Sequence, residues 1–449
     1  MMSVSGIRGL LGEGMNPEIA VRFAAAFASR IAGGSVVVGR DSRLSGAYLA
    51  PVIFSTVQFF GLDVVDLGIV STPTVEIMVD ELEASGGIII TASHNGPEWN
   101  ALKLLCAGGE FLTAAEMEEV ITLATGDRPL FPAPGRYGAL SVHAGADAVH
   151  IERILGLGLL ETERIRERGF KAVVDCVNGA GSRIVPALLR RLGVAVIELF
   201  TDMNAPFPHV PEPRPEYLGA LSDAVRENGA DIGFACDPDA DRLVLVDGTG
   251  HVCSEELTLA VAIDFVLEHE PGPVVANLST SRLIDDIGRS HGVKVYRSKV
   301  GESNVVGVMK ETGAVIGGEG NGGVIYPPVH YGRDAMTGIA LILQSLTENR
   351  ISLRDKVESF PRYVIVKRKY SFEGDLETVA AALGGRFPGN VNTLDGIRID
   401  MEMGWIHLRS SNTEPVVRII SEAATEKEAL SLAREAEAVL KGGAGPVSR

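Results

Sequence analysis

Cysteine is scarce in this chain: four in 449 residues, at Cys106, Cys176, Cys236 and Cys253, with no C-x-x-C spacing. Thiols so sparse argue against a disulfide framework or a zinc site and fit a reduced, cytoplasmic setting. Positive charge is also short, with 41 Lys and Arg against 58 Asp and Glu and a formal net charge of −17. That excludes a general nucleic-acid binder, which needs a basic surface to displace counterions. An anionic small molecule remains open, because a local arginine cluster can dominate a cleft in an acidic protein. No apolar run approaches the ~18 residues of a membrane-spanning helix. The N-terminus has no basic stretch followed by an apolar one, as a secretory signal would. The sequence therefore predicts a soluble cytoplasmic protein with neither membrane nor nucleic-acid partners, and leaves its oligomeric state open.

Apolar content of 46% is ample for substantial cores, and the length suggests about three domains. Strand–polar turn–helix starts recur. Asn16 caps a helix with Pro17 at its first position, and Ile19, Phe23, Phe27 and Ile31 line one face. The strand 35–38 follows and closes on Gly39-Arg40-Asp41-Ser42-Arg43. The same plan returns at 171–175 before Asn178-Gly179-Ala180-Gly181-Ser182, and at 274–278 before Ser279-Thr280-Ser281. Residues 205–215 are proline-dense and read as an irregular connection. After Pro361 strands dominate (363–369, 396–401, 405–408, 416–420), followed by one helix. Thr425 and Glu428 give that helix a capping box, and it buries Leu432, Ala436, Val439 and Leu440. The predicted class is three similar α/β domains with mixed sheets (1–142, 143–250, 251–360) and a C-terminal α+β domain (361–449).

Four polar loops carry the chemistry. In the first, Thr91-Ala92-Ser93-His94-Asn95 follows the apolar Ile88-Ile89-Ile90 and places a serine at an exposed strand end. A hydroxyl nucleophile needs exposure and a neighbour able to manage its proton, and His94 stands next to Ser93. A plain polar turn is the competing reading. The second loop is Asp237-Pro238-Asp239-Ala240-Asp241-Arg242, between apolar strands. In an extended loop alternate residues point the same way, so the three carboxylates converge. They repel one another unless a cation sits among them, and hard oxygen ligands suit Mg2+. An EF-hand is excluded, because its sixth position would be Arg242 rather than glycine.

The third loop is Gly317-Gly318-Glu319-Gly320-Asn321-Gly322-Gly323. Its glycines allow close approach, while Glu319 and Asn321 offer hydrogen bonds to sugar hydroxyls. The fourth is Arg409-Ser410-Ser411-Asn412-Thr413-Glu414-Pro415 with Arg418 beyond it. Arginine suits phosphate because its planar fork donates paired, charge-assisted bonds.

In this order the loops resemble those of the α-D-phosphohexomutase family, from Ser5 to Arg418. The resemblance implies a central cleft among four domains, and a Ser93 phosphorylated in the resting enzyme. It implies Mg2+ on Asp237, Asp239 and Asp241, with Ser93 counted among the ligands. It makes Arg8 (in Ser5-Gly6-Ile7-Arg8-Gly9), Lys103 (in Asn100-x-x-Lys103), His94 and Arg242 catalytic. Lys299, Glu319, Asn321, Arg409, Ser411, Asn412, Thr413 and Arg418 become substrate-binding. Arg40 and Arg43 are expected to support by salt bridges. The reaction implied interconverts hexose 6-phosphate and hexose 1-phosphate through a hexose 1,6-bisphosphate.

Two departures matter. Gly96 intervenes before Pro97, and the family's G-E-x-S-G-H reads here with Asn321 for the serine and Gly323 for the histidine. The E-x-N-G arrangement is similar to that of members acting on amino sugars, so glucosamine phosphate is the expected substrate. A phosphomannomutase/phosphoglucomutase of broad specificity is the alternative. A serine phosphatase would gain little from a second phosphate clamp, and a non-catalytic sugar-phosphate sensor would not need Ser93 and the carboxylates together.

Overall fold

The structure is a computed structural model that describes residues 2–3, 6–126, 131–132, 135–372, 376–410 and 416–443. Seven strands build the first sheet: β1 (Met2–Ser3), β2 (Gly6–Leu10), β3 (Ser35–Arg40), β4 (Asp63–Ile69), β5 (Gly86–Ile90), β6 (Trp99–Leu105) and β7 (Leu140–Val142), in the order β1-β2-β6-β5-β3-β4-β7. The second contains β8 (Lys171–Asp175), β9 (Ala195–Leu199), β10 (Ile232–Cys236) and β11 (Leu243–Asp247), ordered β11-β10-β8-β9. The third contains β12 (Val274–Asn277), β13 (Val295–Ser298), β14 (Ile316–Glu319) and β15 (Gly323–Ile325), ordered β13-β12-β14-β15. A wholly antiparallel fourth sheet runs β16-β20-β19-β18-β17, from β16 (Val364–Ser371), β17 (Asn390–Asn392), β18 (Ile397–Met401), β19 (Gly404–Ser410) and β20 (Val416–Ala423). The expected architecture holds: three α/β domains with mixed sheets and an α+β domain.

The repetition hinted at by the three strand–turn–helix starts is real in topology. β3, β8 and β12 are each central, flanked on one side by a parallel strand (β4, β9, β13) and on the other by another (β5, β10, β14). In each sheet that last parallel strand turns back into an antiparallel one: β5 into β6, β10 into β11, β14 into β15. The three turn-back corners hold the first three polar loops. Each also contains a left-handed residue: Ser93 (φ 50), Ala240 (φ 52) and Gly322 (φ 87).

Local rules explain the elements. The Asn16 side chain accepts from the Ile19 N–H at the start of helix Pro17–Ser29. Its apolar face buries Phe23 and Phe27 with Ala20 and Ala24, whereas Ile19 and Ile31 are only half-buried, Ile31 lying past the helix end. Helices Glu256–His269 and Ala335–Asn349 are apolar almost all round, because they pack inside a core shared by the second and third sheets. The seam where the first three domains meet is polar. Thr74 Oγ1 meets His150 Nδ1 at 2.9 Å, and His150 Nε2 meets Asp334 Oδ2 at 2.9 Å. His330 lies between Asp334 and Glu76, 3.6 and 3.2 Å from their carboxylates.

The last domain corrects the expectation of one helix. A second, Leu376–Arg386, packs Leu376, Val379 and Leu383 on the sheet. The pair Gly384-Gly385 inside it lowers helix propensity and hides it in the sequence. β17 was hidden too, since only Val391 among its three residues is apolar. The terminal helix, Glu426–Gly443, has its capping box, with Thr425 N–H and Oγ1 both donating to Glu428. Its Leu432, Ala436 and Leu440 are buried and Val439 packs alongside. All four cysteines are free thiols. Among the described residues no helix is long and apolar enough to cross a membrane.

Candidate active site

The three corners and the fourth sheet face one cleft of about 1520 Å³. Ser93 lies at its floor. It was expected to be well exposed, but only 2% of its surface is accessible, because the second domain closes over the serine loop. Ser93 Oγ donates to Asp237 Oδ2 at 2.6 Å and lies 3.4 Å from His94 Nδ1. The loop is braced from behind. Ser93 N–H donates to Thr91 Oγ1, which donates to Asp41, and Arg43 ion-pairs with Asp41 while donating to the Ser93 carbonyl at 2.6 Å and to the Asn95 carbonyl. Arg43 is thus the supporting salt-bridge residue expected. Such ties hold a left-handed non-glycine residue that would otherwise cost about 1–3 kcal/mol.

The carboxylate loop converges by a route the sequence reading missed. It is not extended. Ala240 turns left-handed, and the N–H groups of Asp241 and Arg242 both fold back onto Asp237 Oδ1 at 3.2 Å. An oxygen from each of Asp237, Asp239 and Asp241 then lies within 4.8 Å of the others, all three side chains being buried. Burial, followed by repulsion from Asp239 and Asp241, pushes the Asp237 carboxyl well above the usual range. Asp239 Oδ1 and Asp241 Oδ1 are buried without hydrogen-bond partners. Crowded oxygens of this kind, two of them orphaned, fit a hard divalent cation.

Cations surround the trio. Lys103 Nζ donates to Asp239 at 2.6 Å and Asp241 at 3.2 Å. Burial works against its charge, but these two carboxylates override it and hold the ammonium protonated. Thr72, from the first domain, donates to Asp239 at 2.7 Å. Arg8 Nη1 donates to Asn95 Oδ1 at 2.6 Å. Arg242 lines the cleft beside them. His94 is pulled well below its ordinary range, first by burial and then by Arg242 and Arg8, so its imidazole is neutral. Asn100, by contrast, is buried and bonded to Ser45 and to a backbone N–H.

In the third corner Glu319 is tightly held. Oε1 accepts from Asn277 at 2.7 Å and from Gly301 N–H at 2.9 Å, and Oε2 from Arg333 at 2.7 Å. Burial opposes its ionisation, and Arg333 with the two amide donors overrides burial. Asn321 lines the cleft, its Oδ1 accepting from Gly323 N–H at 3.2 Å. Lys299 is exposed at the end of β13, with Val300 and Gly301 lining the cleft beyond it.

From the fourth sheet, Arg409 and Arg418 face each other across β19 and β20 and line the cleft. Lys369 opposes Arg418 on β16 and also lines it, so three cations stand in one row. Like charges placed directly opposite are unfavourable unless an anion joins them. Asp395 pairs with Arg409 at 2.9 Å and accepts from Val300 N–H at 2.9 Å, tying the last domain to the third. Ser411, Asn412 and Thr413, like Val4 and Ser5, lie outside the described residues.

Several groups at the site carried no sequence signal: Thr72, Asn277, Glu302, Arg333 and Lys369. Asn277 stands at the end of β12, Thr72 and Glu302 at helix starts, Lys369 inside β16 and Arg333 in the loop before helix Ala335–Asn349, none of them within one of the four loops. The one available clue was the unusual density of charge and glycine in His330-Tyr331-Gly332-Arg333-Asp334.

Comparison with known proteins gives a consistent result. Residues 2–129, 148–250 and 255–363 match the phosphoglucomutase/phosphomannomutase alpha/beta/alpha domains I, II and III, and residues 363–439 match the C-terminal domain. A Methanopyrus kandleri protein called a probable phosphoglucosamine mutase is 36% identical over 96% of this chain and 95% of its own length. A Thermococcus kodakarensis phosphoglucomutase/phosphomannomutase is likewise 36% identical, over 94% of each chain. Among solved structures, a phosphoglucomutase/phosphomannomutase family protein from Burkholderia thailandensis superposes with a TM-score of 0.85 at 28% identity, over 100% of this chain and 99% of that one.

Proposed function

The chain belongs to the phosphoglucomutase/phosphomannomutase family, and from that premise we propose how this phosphohexomutase works and which sugar it prefers. Ser93 is the phosphoryl carrier. In its phosphorylated form its Oγ–P bond breaks as a new P–O bond forms to the free hydroxyl of a hexose monophosphate, giving a hexose 1,6-bisphosphate. The bisphosphate turns over in the cleft, and its other phosphoryl group returns to Ser93. The observation that carries this reading is the 2.6 Å contact of Ser93 Oγ with a buried carboxylate trio ringed by Lys103, Arg8 and Arg242.

Phosphoryl transfer is catalysed mainly by positioning and charge stabilisation. Asp237, Asp239 and Asp241, with Ser93, would hold Mg2+, which when bound supplies a fixed positive charge beside the transferring group. Lys103, kept protonated by its carboxylates, is a fixed cation rather than a base. Neutral His94, the ring nearest Ser93 Oγ, is placed to move the proton there. Arg409 and Arg418 clamp the distal phosphate, a domain away from Ser93.

For the sugar, we propose glucosamine phosphate, with glucose and mannose phosphates turned over more slowly. Glu319 stays ionised although buried. Its Oε1 is filled by Asn277 and Gly301, and Arg333 takes one lone pair of Oε2, leaving the other as an acceptor for a 2-amino group, beside the Asn321 amide oxygen. The names carried by the M. kandleri and T. kodakarensis relatives support both this and a broader phosphomannomutase/phosphoglucomutase specificity. The deciding measurement is kcat/KM for glucosamine 6-phosphate against glucose 1-phosphate and mannose 1-phosphate. A tenfold advantage for either neutral sugar, about 1.4 kcal/mol, overturns the amino-sugar assignment and leaves the mutase chemistry standing.

A further inference from the structure

Arg333 sits where three elements meet. Its Nη2 donates to Asp241 Oδ2 at 2.6 Å, its Nη1 to Glu319 Oε2 at 2.7 Å and its Nε to Glu302 Oε2 at 3.0 Å. The backbone is fixed as well, since Arg333 N–H donates to Glu302 Oε1 at 2.8 Å. One buried guanidinium therefore bonds a carboxylate of the cation-binding corner and the acid of the sugar-facing corner. The next residue, Asp334, caps helix Ala335–Asn349 and so anchors the arginine to the core.

The path of that side chain explains a departure noted in the sequence. A Cβ placed on Gly323 would lie 2.3 Å from Arg333 Cδ and 2.9 Å from its Cγ. The aliphatic stem of Arg333 thus occupies the space a side chain at position 323 would need. The two positions are mutually exclusive in size: glycine at 323 admits arginine from 333, and a larger residue would exclude it. Gly323 lies outside the left-handed region, so its need for glycine comes from this stem and not from backbone conformation.

We propose that Arg333 is a positioning residue that couples the cation-binding corner to the sugar-facing corner, and that Gly323 is glycine to let it through. It acts through the two carboxylates it holds. It sets Asp241 and Glu319 relative to each other, so that cation affinity and sugar-phosphate affinity depend on one shared group. The proposal rests on the mutase reading for the identity of the sugar ligand but not for the coupling itself.

A double-mutant cycle tests it: Gly323→Ala, Arg333→Ala and the two combined, each read by Mg2+ titration calorimetry, by the Michaelis constant for glucose 1-phosphate and by thermal unfolding. Arg333→Ala should change both constants tenfold or more. Gly323→Ala, which leaves the arginine in the chain but displaces it, should reproduce much of that change, and should add nothing when Arg333 is already alanine. Arg333→Lys keeps the charge without the fork and should restore one contact, and with it one of the two affinities, but not both. Additive effects of the two substitutions would overturn the coupling. So would losses of thermal stability with both binding constants unmoved, which would make the arginine purely structural. If the unaltered protein shows no mutase turnover, the functional reading fails, and the Mg2+ titrations still decide whether positions 323 and 333 act as a unit.

Discussion

Ser93 Oγ and Asp237 Oδ2 lie 2.6 Å apart, although 144 positions and two separate sheets stand between them. The hydroxyl and the carboxylate belong to equivalent corners of the first and second domains. Neither corner contains the site by itself.

Ser93→Ala should abolish turnover, by about a thousandfold or more, some 4 kcal/mol, while sugar phosphate still binds at Arg409 and Arg418. Intact-mass measurement after incubation with glucose 1,6-bisphosphate should show one phosphate on the wild-type protein and none on the variant. A fully active enzyme that never carries phosphate on Ser93 would refute the carrier role.

Asp239→Asn should weaken Mg2+ binding and depress activity strongly. It removes one of the crowded charges, turns one carboxylate oxygen into a donor that repels a cation, and takes the charge assistance from the bonds of Lys103 and Thr72. A chelator should silence the wild-type enzyme, and added Mg2+ should restore it. Activity indifferent to both treatments would mean that the carboxylate corner is only structural.

Arg409→Ala should raise the Michaelis constant with less effect on kcat. Each charge-assisted phosphate bond lost is worth on the order of 1.5–3 kcal/mol, roughly 10- to 150-fold. Lys369→Ala should do the same more weakly if the row of three cations acts together. Unaltered saturation curves in both variants would remove the clamp from the fourth sheet.

The polar seam predicts a fall in stability toward alkaline pH. Burial, with Glu302 nearby, pushes the Glu76 carboxyl up to about 8. Burial pulls His330 down, but Asp334 and Glu76 outweigh it and raise the imidazole to about 9. Both groups bind protons more tightly folded than unfolded, so their stabilisation is complete below the unfolded values and is lost as pH rises through 8 to 9. Asp334 is shifted downward, chiefly by His150 acting against its burial, and costs stability only in acid. The unfolding temperature should therefore decline from about pH 5 to about pH 9, and Glu76→Gln should flatten that decline, chiefly below pH 8. Equal slopes in the two proteins would contradict the assignment.

Much of the fold was legible because its signals are local. Asn16 with Pro17, and Thr425 with Glu428, announce helix starts within four residues. β5, β8 and β12 announce themselves as apolar runs ended by polar turns. The helix at 376–386 was not legible, because Gly384 and Gly385 blur a pattern that only the sheet beneath it completes. At the site the same division holds. Ser93, Asp237, Asp239, Asp241, Glu319 and Arg409 sit in dense motifs. Arg333 does not, and its importance appears only when Gly323 is seen to have made room for it. The convergence of the aspartates was read correctly for the wrong reason. A left-handed turn at Ala240, and not the alternation of an extended chain, brings them together.

One strand order, used three times, puts three different residue sets at one structural corner: a serine in the first copy, a carboxylate trio in the second, a glutamate among glycines in the third. Reactivity then belongs to the mutual docking of the copies more than to any one of them. Inactivation by heat should begin at the seams, with turnover fading while ellipticity still reports intact helices and sheets. By the same logic, inherited changes at Thr74, His150 or Glu76, none of which touches Ser93, can retune the enzyme by altering how its copies meet.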